Sequence, residues 1–418
     1  MSNERRPGFG LYYSPHAGPY RQADLEAYLP LLQAVGAAWL VVRSSARRAI
    51  PEFFLQGLKQ GGVEPVVHFA VPLHTPAADI VPLLEVYARW GVRHVVFFDR
   101  PNQRATWGRA WHQPDLPARF LDLFIPLAEA ALQQGLTVYF PPLAVGGDYW
   151  DLAFLRAALE GLRRRAPLLA GRLTLSAYAW AQGRSLDWGR GGPEVWPQAR
   201  PYFTPPDSED HRGFRIFEWY AAEAQAVWGR TPSVFLLAMG ERYGHDLPDD
   251  AADAANQAIA RLFREGELPP AVAGGAFWVL TAGEGGAAAA EAWVSPQGKA
   301  RPILEALRLP RAHAFSPTTS QARHYVLLPR GKEGVPPHYL SAALPWLQQG
   351  RATVGFRVDE ALAAQQVTVI GQPEDFPPQV REALEKAPRV QWMALPGMEV
   401  ASFGAKETLG SVLEDDHE

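Results

Sequence analysis

The sequence predicts a (β/α)8 barrel followed by a small Rossmann-like α/β domain. Short apolar segments alternate with amphipathic, helix-like segments eight times between residues 9 and 309, which is the repeat count of such a barrel. The short segments are apolar throughout, as strands are when both faces of a parallel sheet are buried. An open doubly wound sheet is the alternative, but it usually carries a glycine-rich phosphate turn after its first strand. Here that turn reads Tyr-Ser-Pro-His-Ala-Gly-Pro.

The individual elements follow from this pattern. The predicted barrel strands are residues 9–14, 39–43, 65–70, 94–99, 136–140, 173–178, 233–239 and 276–280. The predicted helices are residues 22–35, 51–59, 79–90, 117–134, 152–165, 214–228 and 251–264, with a last helix within 287–309. Glycine directly follows several of these helices, as at Gly36, Gly91 and Gly135, where it can end a helix in the left-handed conformation.

The pattern changes beyond residue 309. We expect a barrel domain over residues 1–310, a polar linker over 311–322, a small α/β domain over 323–400 and a partly disordered tail over 401–418, which ends in acidic residues. The small domain contains Val369-Ile370-Gly371 but no dinucleotide fingerprint, so no nucleotide site is predicted there.

Composition excludes several classes of function. The 418 residues include 40 Lys and Arg against 44 Asp and Glu, so the net charge of −4 argues against a nucleic-acid-binding protein. The absence of cysteine excludes disulfides, thiolate metal sites and a cysteine nucleophile. No His-Glu-x-x-His motif is present, and His112 and His211 stand alone in loops, so we predict no metal and no other cofactor.

Location is predicted from what the sequence lacks. No apolar stretch approaches the roughly 18 residues of a membrane span. No signal-peptide core precedes the first strand, so the expected location is the cytoplasm, or the cell exterior or surface if a leader has been removed.

Candidate site residues are found at the carboxyl ends of the predicted strands, where barrel enzymes carry their active sites. There the sequence places Tyr12, Tyr13, Arg43, His68, Asp99, Arg100, Asn102, Tyr178, Trp180, Glu241 and Trp278. Aromatic faces can stack on sugars, and arginine can bind hydroxyls or an acidic sugar. Five of the 14 tryptophans fall in loops, where they are expected to form walls of a pocket: Trp107, Trp111, Trp150, Trp180 and Trp188. His68 could equally be a hydrogen-bonded core histidine.

This arrangement resembles the clan A retaining glycoside hydrolases, which are (β/α)8 barrels. Arg43 ends the second strand, Trp278 lies on the eighth, and Asp99-Arg100-Pro101-Asn102 is similar to an altered form of the Asn-Glu-Pro motif after the fourth. The resemblance covers about residues 8 to 309. It implies a carbohydrate ligand, an acid/base residue after the fourth strand and a glutamate nucleophile at the end of the seventh.

Two departures from the family pattern bear on catalysis. Arg100 occupies the position of the acid/base residue, and a guanidinium with a pKa above about 12 cannot act as an acid at neutral pH. Glu241 comes four residues after Leu237, where the pattern places the nucleophile. We therefore predict a glycoside-hydrolase-like barrel that binds carbohydrate, with degraded or lost hydrolase activity.

Two other functions stay open at this point. The chain could be an active hydrolase with Glu241 as nucleophile and Asp99, Asp148 or Asp151 as acid/base, which requires two carboxyl groups about 5–9.5 Å apart in one cavity. It could instead be a non-catalytic scaffold that binds a protein partner through its C-terminal domain. A plugged barrel mouth would favour the scaffold.

Overall fold

The computed structural model describes residues 8–200, 209–283, 286–309, 324–329, 337–348, 352–356, 358–387 and 390–393. The chain divides into two compact units, Met1–Arg311 and Ala312–Glu418. The predicted linker (311–322) and the predicted tail (401–418) lie outside the described residues.

The first unit is a closed barrel of eight parallel strands. These are β1 (Gly8–Tyr12), β2 (Trp39–Arg43), β3 (Glu64–Phe69), β4 (His94–Phe97), β5 (Thr137–Phe140), β6 (Thr174–Trp180), β7 (Val234–Gly240) and β8 (Val272–Phe277). Each strand pairs with the next in sequence, and β8 pairs with β1 to close the barrel. The predicted barrel is thus confirmed.

Helices surround the barrel strands. They are α1 (Gln22–Ala34), α2 (Glu52–Gln60), α3 (Ala77–Arg89), α4 (Arg104–Trp107), α5 (Leu116–Gln133), α6 (Asp151–Arg165), α7 (Pro167–Arg172), α8 (Gly192–Val195), α9 (Ile216–Trp228), α10 (Asp249–Glu265) and α11 (Pro302–Ala306). No helix of the described residues is long and apolar enough to cross a membrane.

Strand alternation divides the buried side chains into two groups. Successive strand residues point to opposite faces, so Tyr12, Val41, Val66 and Val96 meet inside the barrel. Their neighbours along the strands, such as Leu40, pack outward against the helices in the larger core. The barrel axis is therefore filled by side chains, and a ligand can enter only at the ends of the strands.

One predicted strand near the end of the barrel is wrong in extent. β8 begins at Val272, not at residue 276, because Gly274 and Gly275 weaken the strand pattern. A Cβ atom at Gly274 would lie 2.5 Å from Trp39 Nε1, so this position has no room for a side chain. The last helix predicted within 287–309 is present as α11, after a short 3-10 turn at Ala287–Ala289. Between them the chain turns at Gly298 (φ +81°) after a proline.

The second unit is a small α/β domain with a four-stranded parallel sheet. Its strands are β9 (Tyr325–Leu327), β10 (Thr353–Gly355), β11 (Val367–Ile370) and β12 (Val390–Met393), in the order β10-β9-β11-β12. Its helices are α12 (Pro337–Gln348), α13 (Val358–Ala363) and α14 (Pro378–Glu385), with a 3-10 turn at Pro373–Asp375. Alternating residues of β9 and β11 enter two separate apolar clusters, so both faces of the sheet are covered.

Candidate functional site

A cavity of about 400 Å³ lies at the carboxyl ends of the barrel strands. We call it the mouth cavity. It is lined by Arg43, Asp99, Arg100, Gln103, Ala144, Val145, Tyr178, Trp180, Gln182, Arg242, Trp278, Ala288 and Glu291. Three arginines and two carboxylates share this space with two tryptophans and a tyrosine. The mouth is therefore open, polar on one side and aromatic on the other.

Asp99 is the most strongly bonded carboxylate of the mouth cavity. Tyr178 donates its hydroxyl to Oδ1 (2.7 Å), while Arg100 (3.1 Å) and Arg43 (3.4 Å) reach Oδ2. Burial alone would raise the pKa of Asp99. The charges of His68 (when protonated), Arg100 and Arg43, with the Tyr178 hydrogen bond, outweigh burial and hold that pKa below its ordinary value of 3.8. Asp99 is thus ionised at neutral pH.

A chain of hydrogen bonds beneath Asp99 fixes the end of β4. His68 Nε2 faces the carbonyl oxygen of Phe98 (2.8 Å) and must carry the hydrogen, so Nδ1 accepts from the Tyr12 hydroxyl (2.8 Å). The Tyr12 oxygen in turn accepts from Arg43 Nε (3.0 Å). Burial lowers the pKa of His68 to about 4, so its ring is neutral at pH 7. His68 is a core histidine that supports the site from below.

The backbone around Asp99 leaves the regular strand geometry. Phe98 (φ +64°) and Arg100 (φ +45°) both lie in the left-handed region, which non-glycine residues rarely adopt. The amide of Arg100 donates to Pro142 O (3.0 Å) and helps to hold this conformation. Strand alternation would place Asp99 and Arg100 on opposite faces. Because the strand has ended, both side chains line the mouth cavity. Such strain is typical of functional sites.

The aromatic side of the mouth cavity is formed by rings from β1, β6 and β8. The ring centroids of Trp278 and Tyr12 are 4.9 Å apart, and Trp180 meets Trp278 edge to face at 6.2 Å. Tyr178 stacks on Trp180 at 5.7 Å, and the guanidinium of Arg242 lies 5.2 Å from the Trp180 ring centroid. These contacts hold the rings in place, and three of them, Tyr178, Trp180 and Trp278, line the cavity.

Glu291 is a second carboxylate of the mouth cavity that sequence reasoning missed. Its Oε2 accepts a hydrogen bond from Trp278 Nε1, and its Oε1 lies 2.7 Å from His245 Nε2. Glu291 belongs to the segment 287–309, within which the sequence predicts a last helix. Glu291 precedes the helix found there, α11, in an irregular stretch that reaches the barrel mouth, so no periodicity in the sequence indicated its position. Arg242, which comes two residues after the end of β7, also lines the cavity.

Glu241 lies apart from this cavity. Its side chain is 2% exposed, and its Oε2 accepts the amide of Gly183 (2.7 Å). Asn256 holds its backbone through two further hydrogen bonds of 2.9 and 3.0 Å. Burial raises the pKa of Glu241, and Asp246 adds to this effect. Glu241 is absent from the residues lining the mouth cavity in the described part of the chain, so the structure does not bring it beside Asp99 there.

Two predicted substrate-binding residues have structural roles. Tyr13 follows the inward-facing Tyr12 and so points outward, where it packs against Tyr20 and Phe54. Asn102 is buried and uses its amide to bind the backbone of the β5–α6 loop, at Ala144 N and O and at Tyr149 O, over 2.8–2.9 Å. Among the expected wall tryptophans, Trp180 alone lines the mouth cavity; Trp107, Trp111, Trp150 and Trp188 do not.

The two loop acids, Asp148 and Asp151, form hydrogen bonds outside the mouth cavity. Asp148 accepts the backbone amide of Arg104 (2.9 Å). Asp151 is completely buried, where it meets His211 Nε2 and the Tyr220 hydroxyl, both at 3.0 Å. Neither lines the mouth cavity.

Across the residues that the structure describes, no three His, Asp or Glu side chains are grouped to hold a metal ion.

Comparisons with known proteins bear on the fold. No protein-family model and no curated protein matches the chain. Among solved structures, an endo-β-1,3-glucanase of glycoside hydrolase family 128 from Pseudomonas viridiflava is 16% identical, with a TM-score of 0.43 over 72% of this chain and 98% of that one. A family 39 enzyme from Xanthomonas axonopodis pv. citri is 14% identical, with a TM-score of 0.48 over 73% and 66%.

A β-xylosidase from Caulobacter crescentus is 11% identical, with a TM-score of 0.47 over 72% of this chain and 67% of that one. The predicted (β/α)8 barrel is observed directly in the strand order of this structure.

Proposed function

We propose that the mouth cavity binds a saccharide and that two-carboxylate glycoside hydrolysis is degraded or lost in this barrel. The observation that carries the proposal is that Trp278, Trp180 and Tyr178 line one cavity together with Arg43 and Asp99. A pyranose ring has apolar C–H faces and a polar edge, so it needs an aromatic surface beside hydrogen-bonding groups. The mouth cavity supplies both, and its volume is within the range of small-molecule sites.

Each side of the cavity has a defined part in this proposal. Trp278 gives the sugar face a platform. Asp99, as an ionised carboxylate, accepts hydrogen bonds from sugar hydroxyls, and the guanidinium groups of Arg43 and Arg100 donate to ring or hydroxyl oxygens. An open cavity of this kind also supports ligand binding over a pure scaffold, for which a plugged mouth was expected.

Hydrolysis needs a group that gives a proton to the leaving oxygen. Asp99 is a poor acid near neutral pH because its pKa is held below its ordinary value. Arg100 is the next residue in the sequence and also lines the cavity, but its guanidinium group does not lose a proton at neutral pH. Loss of a positioned acid/base costs about 10²–10⁴ in rate. These points support binding over turnover.

The test is calorimetric titration of the full chain with a panel of neutral and acidic oligosaccharides. We expect one class to bind, and Trp278→Ala to weaken that binding by about tenfold or more, since a buried aromatic face is lost. Trp150→Ala is the matched control, because Trp150 is 50% exposed and lies outside the cavity. Absence of binding across the panel, or equal losses in the two variants, would overturn the proposal.

A second candidate, hydrolysis by Asp99 and Glu291, is favoured by one observation: both carboxylates line the same cavity. Aryl glycosides test it with Asp99→Asn, Glu291→Gln and Glu241→Gln. The binding proposal expects no turnover above background in the wild type. Turnover lost by 10²-fold or more in the first two variants would establish this candidate instead. Turnover lost in Glu241→Gln would restore Glu241 as the nucleophile.

A further inference from the structure

A second cavity, of about 440 Å³, opens between the loop after β1 and the loop after β2. We call it the arginine pocket. Its lining includes Arg21, Arg43 and Arg48 and contains no aspartate or glutamate. Arg43 also lines the mouth cavity, so the two cavities meet at this side chain. The arginine pocket is therefore a positively charged extension of the proposed saccharide site.

The charges of the arginine pocket are available to a ligand. Arg21 and Arg48 are exposed, and neither forms an ion pair with any residue that the structure describes. Arg43 donates to Tyr12, Pro15 and Asp99, which uses three of its five N–H groups. Two N–H groups of Arg43 thus have no acceptor within the described part of the chain.

The backbone holds the two exposed arginines at the pocket. The Ser45 hydroxyl accepts the amide of Arg48 (3.1 Å) and donates to its carbonyl oxygen (3.2 Å), which closes the turn after β2. Across the pocket, the Arg21 amide donates to the Asp24 carboxylate (2.8 Å) at the start of α1. Asp24, the acid closest in sequence to Arg21, is therefore engaged with the backbone.

We propose that the arginine pocket binds an anionic substituent of the saccharide that occupies the mouth cavity. The inference rests on the proposed function and names its ligand class, an acidic saccharide. Guanidinium groups bind carboxylate, sulfate and phosphate oxygens in pairs of hydrogen bonds, and a cluster of positive charges attracts such groups. Arg43 would contact both parts of the ligand, the sugar through the mouth cavity and the anion through the pocket.

The experiment compares oligogalacturonate with its methyl ester, which has the same sugar chain without the charge. Calorimetry is run on the wild type, on the double variant Arg21→Gln/Arg48→Gln, and on Arg89→Gln as control. Arg89 is an exposed arginine in the last turn of α3 and lines neither the arginine pocket nor the mouth cavity. We expect the wild type and the control to prefer the acid by about tenfold or more, and the double variant to lose that preference.

The possible failures are distinguishable. If the wild type binds both ligands equally and the double variant changes neither affinity, the anion site is wrong while saccharide binding stands. If no saccharide binds, the proposed function fails, and inorganic sulfate tests the pocket alone. A sulfate-induced rise in melting temperature that is smaller in the double variant than in the wild type and Arg89→Gln supports the pocket. An equal rise in all three proteins, which is the general effect of sulfate, overturns it.

Discussion

The hydrogen bond between Tyr178 and Asp99 gives a prediction whose size follows from the structure. Tyr178→Phe removes a hydroxyl that donates over 2.7 Å to a carboxylate that is only 13% exposed. Hydrogen bonds to charged groups contribute about 1.5–3 kcal/mol. The variant should lower the free energy of unfolding by that amount at pH 7 and raise the pKa of Asp99.

The pH dependence has a defined sign. The pKa of Asp99 lies below its ordinary value of 3.8, so the ionised carboxylate stabilises the fold above pH 3.8. That stabilisation is lost as the pH falls through the folded-state pKa. The difference between Tyr178→Phe and the wild type should therefore be full at pH 7 and should shrink at acid pH, as the carboxyl of Asp99 becomes neutral on passing through its folded-state pKa.

Urea unfolding followed by tryptophan fluorescence measures this difference at pH 7 and at the lowest pH where both proteins fold. Tyr149→Phe is the matched control, since no described residue hydrogen-bonds the Tyr149 hydroxyl and its ring packs on Phe154. The control should change stability by less than about 0.5 kcal/mol. Equal losses in the two variants at pH 7, or a loss in Tyr178→Phe that does not vary with pH, would refute the reasoning.

Three further predictions concern buried groups. His68, with a pKa of about 4, should show constant imidazole chemical shifts from pH 8 to pH 5.5, and a midpoint near 6.5 would contradict its burial. Asp151→Ala should cost about 3 kcal/mol of stability in urea unfolding, because His211 and Tyr220 lose a buried acceptor; a loss below 1 kcal/mol would contradict this. Glu241→Gln should change saccharide affinity in calorimetry by less than twofold, and a tenfold loss would place Glu241 in the binding site.

The sequence predicted those parts of the fold that local pattern determines. β2 was predicted with its exact bounds because four of its five residues, Trp39–Arg43, are apolar and two of them are β-branched valines. β8 was predicted four residues late because Gly274 is required by the close packing of Trp39 and Gly275 by that of Leu236 and Met239, which are contacts from other strands. The last helix was predicted only as lying within 287–309, and it is found there as α11, because bridges from Val294 to Thr281 and Ala300 give the chain before it an irregular path.

The site was predictable where a residue ends a strand. Arg43, Asp99, Tyr178 and Trp278 meet in one cavity because the carboxyl ends of parallel strands share one end of the barrel. Glu291 could not be found in this way, because it reaches the cavity through a loop that depends on tertiary contacts.

Position near a strand end did not by itself determine a role. Tyr13 is turned outward by strand alternation, which was readable from the inward position of Tyr12. Asn102 and Glu241 are held by backbone groups of other loops, at Ala144 and at Gly183. Those partners are distant in sequence, so no local pattern indicates them.

A crystal structure of the full chain soaked with the oligosaccharide that binds most tightly tests the central claim most directly. We predict a sugar ring lying against Trp278, with its hydroxyls hydrogen-bonded to Asp99 and Arg43 in the mouth cavity. A saccharide bound only elsewhere on the molecule, or a mouth cavity that stays free of sugar when the ligand saturates the protein in solution, would contradict it.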